Sequence, residues 1–169
     1  PITALDLAHN ALMDEAVLLR LVGALRTMPN GLRSLQMDGC GLSPRVAVSV
    51  GALLRERPWP SRLQRLTLSH NNVGREDGTV ALAAALRCSV ALQELDVTHT
   101  QADMGMILEA LLANEALARN LRRLNLGTNK LSRATAAQLA DFLARASSLA
   151  LLGIARVQLQ PEGFEPLMA

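Results

Sequence analysis

Apolar residues in this chain change their spacing within single short stretches. In LTLSHNNVGREDGTVALAAAL (66–86), Leu66 and Leu68 follow Leu63 in the pattern LxxLxL, with Asn71 and Val73 beyond. Alternate side chains of a short extended segment then share one side, so a strand is predicted. After Asn71 the small and apolar positions are Gly78, Leu82 and Leu86, four apart, which places them on one face of a helix. A strand–turn–helix unit cannot bury both of its apolar faces alone, so copies of it are expected.

Six copies align on LxxLxLxxN/CxL: Ile2-Leu5-Leu7-Asn10-Leu12, Leu32-Leu35-Met37-Cys40-Leu42, Leu63-Leu66-Leu68-Asn71-Val73, Leu92-Leu95-Val97-Thr100-Ala102, Leu121-Leu124-Leu126-Asn129-Leu131 and Leu149-Leu152-Ile154-Val157-Leu159. They start at residues 2, 32, 63, 92, 121 and 149, hence 30, 31, 29, 29 and 28 residues apart. That length belongs to the long end of leucine-rich repeats and leaves room for a full α-helix in each. The helical halves carry Val17, Leu21 and Leu25; Val46, Val50, Leu53 and Leu54; Ile107, Leu108 and Leu111; and Leu139, Phe142 and Leu143. The pattern predicts one α/β domain over 1–169, a leucine-rich-repeat solenoid (horseshoe) of about six repeats of 28–31 residues with a parallel concave sheet and convex helices.

The turn column Asn10, Cys40, Asn71, Thr100 and Asn129 has a physical reason. Where a strand ends and the chain turns toward its helix, a side-chain amide can bond backbone groups of neighbouring repeats that no ladder satisfies. Cys40 and Thr100 fill that place less completely. Val157 cannot, so the last repeat is expected to be irregular there.

Composition narrows the chemistry. Half of the residues are apolar but only 2% are aromatic, so the expected core is Leu, Ala and Val in layers. The two cysteines fall at a turn (Cys40) and a helix end (Cys88), on different sides of the repeat, which argues against a disulfide and favours a reducing compartment. No apolar run approaches the ~18 residues that span a bilayer, and the start carries no signal-peptide pattern. A cytoplasmic or nuclear location is the simplest expectation. The chain begins inside a strand pattern, PITALDL, and ends in an expected helix, PEGFEPLMA, with no cap at either end; an excised piece of a longer array, or ends covered by another molecule, is expected.

The net charge is +2, and Lys130 is the only lysine. Basic clusters occur in RERPWPSRLQR (55–65) and ARNLRR (118–123), but Glu94 and Asp96 lie between the Arg65 and Arg123 repeats and stacking aromatics are scarce. Both facts argue against nucleic acid as a partner. His9, His70 and His99 occupy one repeat position, two residues past the last strand Leu or Val. Two adjacent imidazoles without a carboxylate or cysteine make a poor zinc site, and a solvated turn is the favoured reading over metal binding or pH sensing. No GxxxxGK[ST], HExxH, GxSxG or CxxC is present, so no catalytic, cofactor or metal site is expected and the chain reads as a non-enzyme.

Partners are expected in the hollow of the sheet. One column there reads Asp6, Gln36, Thr67, Asp96, Asn125 and Gly153; Asp38, Ser69 and Thr98 follow it, and Arg65, Glu94, Arg123 and the apolar Leu151 precede it. The candidate binding residues are Asp6, Asp38, Arg65, Glu94, Asp96 and Arg123, a face steered by charge rather than by aromatic anchors. Trp59, between Pro58 and Pro60, is either a plug over the adjacent apolar layer, which is favoured, or an exposed anchor that joins this set.

The repeat length and helical halves resemble the ribonuclease-inhibitor-like subclass of leucine-rich repeats. Within it, three blocks resemble the CARMIL family of actin capping-protein regulators: MPNGLRSLQMDGCGLSP (28–44), VTHTQADMGMILEALL (97–112), and the stretch from LRRLNLGTNKLS to QPEGFEPLM (121–168). The resemblance implies a cytoplasmic scaffold at the cell cortex or plasma membrane. It also implies a membrane-binding domain before the repeats, a disordered capping-protein-binding tail after them, and dimerisation through flanking parts. No capping-protein-binding residue is carried over, because the motif that would hold one is not in this sequence. Competing resemblances are the sensor domain of an NLR-type receptor, a RanGAP-like GTPase activator that would present Arg65 or Arg123, and a tropomodulin-like actin-binding module.

Overall fold

Each strand among the described residues is three residues long and finds its ladder partners only in the neighbouring repeats. The computed structural model describes residues 2–10, 14–74 and 77–158. In chain order the elements are β1 (Ala4–Asp6), α1 (Glu15–Arg26), β2 (Ser34–Gln36), α2 (Pro44–Arg55), α3 (Trp59–Arg62), β3 (Arg65–Thr67), α4 (Gly78–Cys88), β4 (Glu94–Asp96), α5 (Met104–Leu112), α6 (Glu115–Asn120), β5 (Arg123–Asn125), α7 (Arg133–Arg145) and β6 (Leu151–Gly153). The strands form one six-stranded sheet in the order β1-β2-β3-β4-β5-β6. Every neighbouring pair is parallel, with Leu5, Leu35, Leu66, Leu95, Leu124 and Leu152 in register.

A strand order that follows the chain means that every crossover steps in the same direction. Right-handed crossovers then put all helices on one face and leave the other face open. The helices pack in sequence too, α1 on α2, α2 on α4, α4 on α5 and α5 on α7. Leu35, Leu66, Leu95 and Leu124 are buried beneath them, together with Leu32, Leu63, Leu92 and Leu121. In the outer repeats Leu5, Leu7, Leu149, Leu152 and Ile154 are only partly buried, and Ile2 is exposed. Leu12, Leu159 and the helix expected in PEGFEPLMA lie outside the described residues.

The helix faces agree with the spacing except in α1. There Val17 is exposed and Leu21 only half-buried, while Leu18, Val22 and Leu25 face the core. The apolar run VLLRLV carries two candidate stripes one residue apart, and packing against α2 selects the second. α2 and α4 approach closely because Gly51 faces Ala81: a Cβ on Gly51 would lie 2.7 Å from the Ala81 carbonyl carbon. Several helices start on a side-chain cap, Asp14 for α1, Ser43 for α2, Asp103 for α5, Asn114 for α6 and Ser132 for α7. Among the described residues no helix is long and apolar enough to cross a membrane.

The turn column ties the layers together as its chemistry requires. Asn71 is 5% exposed; its Nδ2 donates to the carbonyls of Met37, Leu68 and Ser69, and its Oδ1 accepts from Leu42 N–H. Asn129 repeats this one layer pair further on, with Val97, Leu126 and Gly127 as acceptors and Thr100 and Gln101 as donors. Cys40 reaches back to the Leu7 carbonyl through Sγ at 3.0 Å, whereas the Thr100 hydroxyl donates to Val97 O in its own repeat at 2.8 Å and, more weakly, forward to Asn129 Oδ1 at 3.5 Å. Asn10 is exposed, and among the described residues its amide bonds Leu7 O alone. The irregularity expected at Val157 does not reach the ladder: Val157 is buried, its carbonyl accepts from Leu131 N–H, and β6 stays in register.

Asn71→Ala leaves several buried backbone groups unpaired and is expected to cost on the order of 1–3 kcal/mol. Asn10→Ala, at an exposed site with one local bond, is expected to change stability by less than about 0.5 kcal/mol. Urea denaturation of both variants checks the contrast, and equal costs would remove this account of the column.

Candidate functional site on the open face of the sheet

The face left free by the helices carries the polar columns of the strands in strict register. Ser34, Arg65, Glu94, Arg123 and Leu151 form one row across β2 to β6, and Gln36, Thr67, Asp96, Asn125 and Gly153 another two residues on. A cleft of about 470 Å³ opens over the first row, lined by Arg33, Arg65, Arg122, Arg123 and Glu94 with Gln36, Gln64 and Gln93. Arg65 Nε donates to Glu94 Oε2 at 2.8 Å across the β3–β4 pair. Arg33, Arg122 and Arg123 are exposed and form no ion pair among the described residues.

The acidic residues collect at the other end of the strands. Asp6 is exposed, and one of its oxygens accepts from Ala8 N–H. Asp96 accepts from Thr98 N–H and from Asn125 Nδ2, and Asp38 accepts from the Thr67 hydroxyl and from both the N–H and the hydroxyl of Ser69. Asp38 is therefore occupied inside the protein and offers less to a partner than its position in the hollow suggested. Asp6, Asp96, Arg65, Glu94 and Arg123 all lie on the open face. The face is electrically polarised, basic where the strands begin and acidic where they end.

Arg33 and Arg122 belong to the cleft although neither stands in a strand column. Simple alternation would send them to the opposite side from their neighbours. It does not hold here, because the N–H groups of Gln64 and Arg65 both donate to the Arg33 carbonyl, and those of Ala150 and Leu151 both to that of Arg122. Two successive N–H groups converging on one acceptor mark a chain not yet in regular strand geometry, so consecutive side chains open into one cleft. The doublet in ARNLRR was the available sequence signal.

Trp59 takes the favoured of its two readings, the plug, and its alternative place among the partner-binding candidates requires a correction. It is 1% exposed, begins α3 rather than lying in a loop, and its indole rests near Gly31, whose hypothetical Cβ would meet Trp59 Cδ2 at 3.6 Å. It is the plug of the apolar layer and leaves the set of partner-binding candidates. The largest aromatic surface is spent on the core, so the open face has charge as its chief means of recognition.

The histidine column has a backbone cause. His9, His70 and His99 have φ of 59°, 56° and 52°, and Gly39, Thr128 and Arg156 in the same column have 58°, 56° and 56°. This left-handed turn lets each N–H reach the next layer, His9 to Asp38, His70 to Thr98 and His99 to Gly127. Histidine tolerates the conformation better than most residues. The rings of His70 and His99 stack with centroids 5.2 Å apart, about one strand spacing. Among the described residues no group of three or more His, Cys, Asp or Glu could hold a metal ion.

Both cysteines are free, Cys40 buried and Cys88 exposed. Burial, then the nearby Asp38 charge, raises the Cys40 thiol above its ordinary value of 9.0. The unfolded thiol thus ionises first, and the stability linked to Cys40 is present below pH about 9 and is lost as pH rises from there toward the raised folded value. A thiol reagent is expected to label Cys88 rapidly and Cys40 only on unfolding, and Cys40→Ala is expected to flatten the fall in melting midpoint above pH about 9. Iodide is expected to quench Trp59 fluorescence weakly in the folded protein; strong quenching contradicts its burial.

Compared with known proteins, the chain matches no family model and no curated protein, so its functional reading rests on the face just described.

Proposed function

We propose that this chain is a non-enzymatic protein-interaction platform, built as a leucine-rich-repeat solenoid curved into a horseshoe whose concave sheet receives a protein partner. The observation that carries the reading is the open sheet face, where exposed Arg33, Arg122 and Arg123 surround a cleft and no other element of the described chain fills it. Placing three arginines without ion pairs around one cleft does nothing for folding, since isolated surface charges contribute little to stability. A charged partner gives those side chains a purpose. The six-layer register supports the repeat assignment, because near-equal repeats stacked in chain order are how such arrays bury their apolar columns.

The resemblance to the CARMIL family directs the proposal further, toward a cytoplasmic scaffold at the cell cortex that takes part in regulating actin capping and cortical actin assembly. In that setting the repeats act as a rigid spacer and dock between other modules. Sequencing the parent transcript on both sides of the segment tests this assignment. The expected result is a lipid-binding domain upstream and a basic, proline-rich tail downstream. A nucleotide-binding domain upstream replaces it with the NLR-type sensor reading. An acidic tail directly downstream, with stimulated GTP hydrolysis by a small GTPase, replaces it with the activator reading.

A further inference from the structure

We infer that the first layer of the stack is a dimerisation face, where α1 packs antiparallel on α1 of a second copy of this chain. Inner helices bury two neighbouring stripes. In α2 these are Val46-Val50-Leu53 and Ala47-Gly51-Leu54, and in α4 Gly78-Leu82-Ala85 and Thr79-Ala83-Leu86. The second stripe faces the following layer, since a Cβ on Gly51 would meet the Ala81 carbonyl carbon of α4. The first stripe faces the preceding layer, since a Cβ on Gly78 would meet the Ala47 Cβ of α2 at 3.3 Å. In α1 the second stripe, Leu18-Val22-Leu25, is buried, and α1 packs on α2. Its first stripe, Val17-Leu21-Ala24, is left open: Val17 is 46% exposed, Leu21 half-buried and Ala24 exposed.

The strand side of the same layer is open in the same way. Ile2 is 67% exposed, whereas Leu32, Leu63, Leu92 and Leu121 in its column are at most 4% exposed. Leu5 and Leu7 are only partly buried, and β1 is an edge strand whose outward backbone groups find no ladder partner in the sheet. Apolar residues exposed singly need no explanation. Here they are the apolar set of one layer, at the positions that the inner junctions bury.

The order of side chains in the stripe selects a second copy as the occupant. Along α1 it runs large, large, small, and a reversed copy runs small, large, large. Antiparallel pairing about a twofold axis near Leu21 therefore sets Val17 against the partner's Ala24 and Leu21 against the partner's Leu21, so that the summed volume stays even along the contact. The same pairing opposes the two helix macrodipoles, whereas a further repeat stacked in chain order aligns them. It also brings the two β1 edges together with the helices of both copies on one side. The net charge of +2 gives little repulsion between copies. Exposed Arg20 flanks the stripe on each copy, so salt that screens the two guanidinium groups favours the dimer.

Sedimentation velocity of the chain over a range of concentrations tests the inference. A monomer–dimer equilibrium that tightens as salt rises is expected, and Val17→Arg is expected to weaken it about tenfold or more. Val17 is exposed, so at low concentration the melting midpoint of this variant is expected to match the parent. In a Cys88→Ser background, Leu21→Cys is expected to cross-link to itself on mild oxidation, and Val17→Cys to cross-link with Ala24→Cys but not with itself. Cys40 is buried and stays silent. A monomer at every concentration, association unchanged by Val17→Arg, or no cross-link at Leu21→Cys overturns the inference. Oligomers that grow beyond the dimer, as head-to-tail stacking gives, also overturn it. Loss of the dimer when the upstream sequence of the parent protein is present assigns the face to a preceding repeat and overturns it too. Each outcome leaves the arginine cleft, and with it the platform reading, untouched.

Discussion

A three-residue parallel strand cannot satisfy its own backbone, and every other feature of this molecule follows from that. Its N–H and C=O groups are paired only when an identical strand lies beside it at one spacing and in one register. The carbonyls of Thr3, Arg33, Gln64, Gln93 and Arg122 each take two N–H groups from the following layer as the strands begin. Where the strands end, a left-handed residue sends one more N–H forward, and Asn71 and Asn129 absorb the groups the ladder misses. Each layer therefore imposes its geometry on the next, which keeps the repeat length nearly constant and the six strands in one order.

Two sets of side chains divide the work within this frame. The leucine columns carry the stability, since burying one such side chain fully is worth roughly 1.5–3 kcal/mol. Charged pairs between layers, such as Arg26 with Glu56 at 2.9 Å and Arg87 with Glu109 at 2.8 Å, are well exposed to solvent and contribute at most about 1 kcal/mol each. Because the ladder uses backbone only, the polar face of the sheet is free to vary from layer to layer. That freedom permits arginine, glutamate and arginine on three successive strands without disturbing the register.

The places where the repeats differ are where side chains replace missing regularity. Between α2 and β3 the chain inserts α3, and Trp59 fills the volume under it. Between α5 and β5 it inserts α6, whose cap Asn114 is 7% exposed and donates to the carbonyls of Leu86, Arg87 and Ser89 at the end of the preceding helix layer. Asn114 thus does between helices what Asn71 does between strands. It stands outside the LxxLxLxxN/CxL pattern, which is why periodicity alone passes over it; the run NEAL, a capping residue followed by an acidic first turn, is the signal that marks it.

By itself the sequence determined the α/β alternation, the six parallel strands in chain order, the buried leucine columns and the polar rows of the open face. It could do so because each of these depends on a period of two or about four residues and on a repeat of nearly constant length. Only the tertiary structure decided that Val17 turns outward while Leu18 turns in, that Trp59 is buried rather than presented, that Asp38 is bound by Thr67 and Ser69, and that Arg33 and Arg122 share a cleft with Arg65 and Arg123. These outcomes depend on contacts between residues about one repeat apart, where the competing arrangements have the same local pattern and differ only in what the neighbouring layer offers.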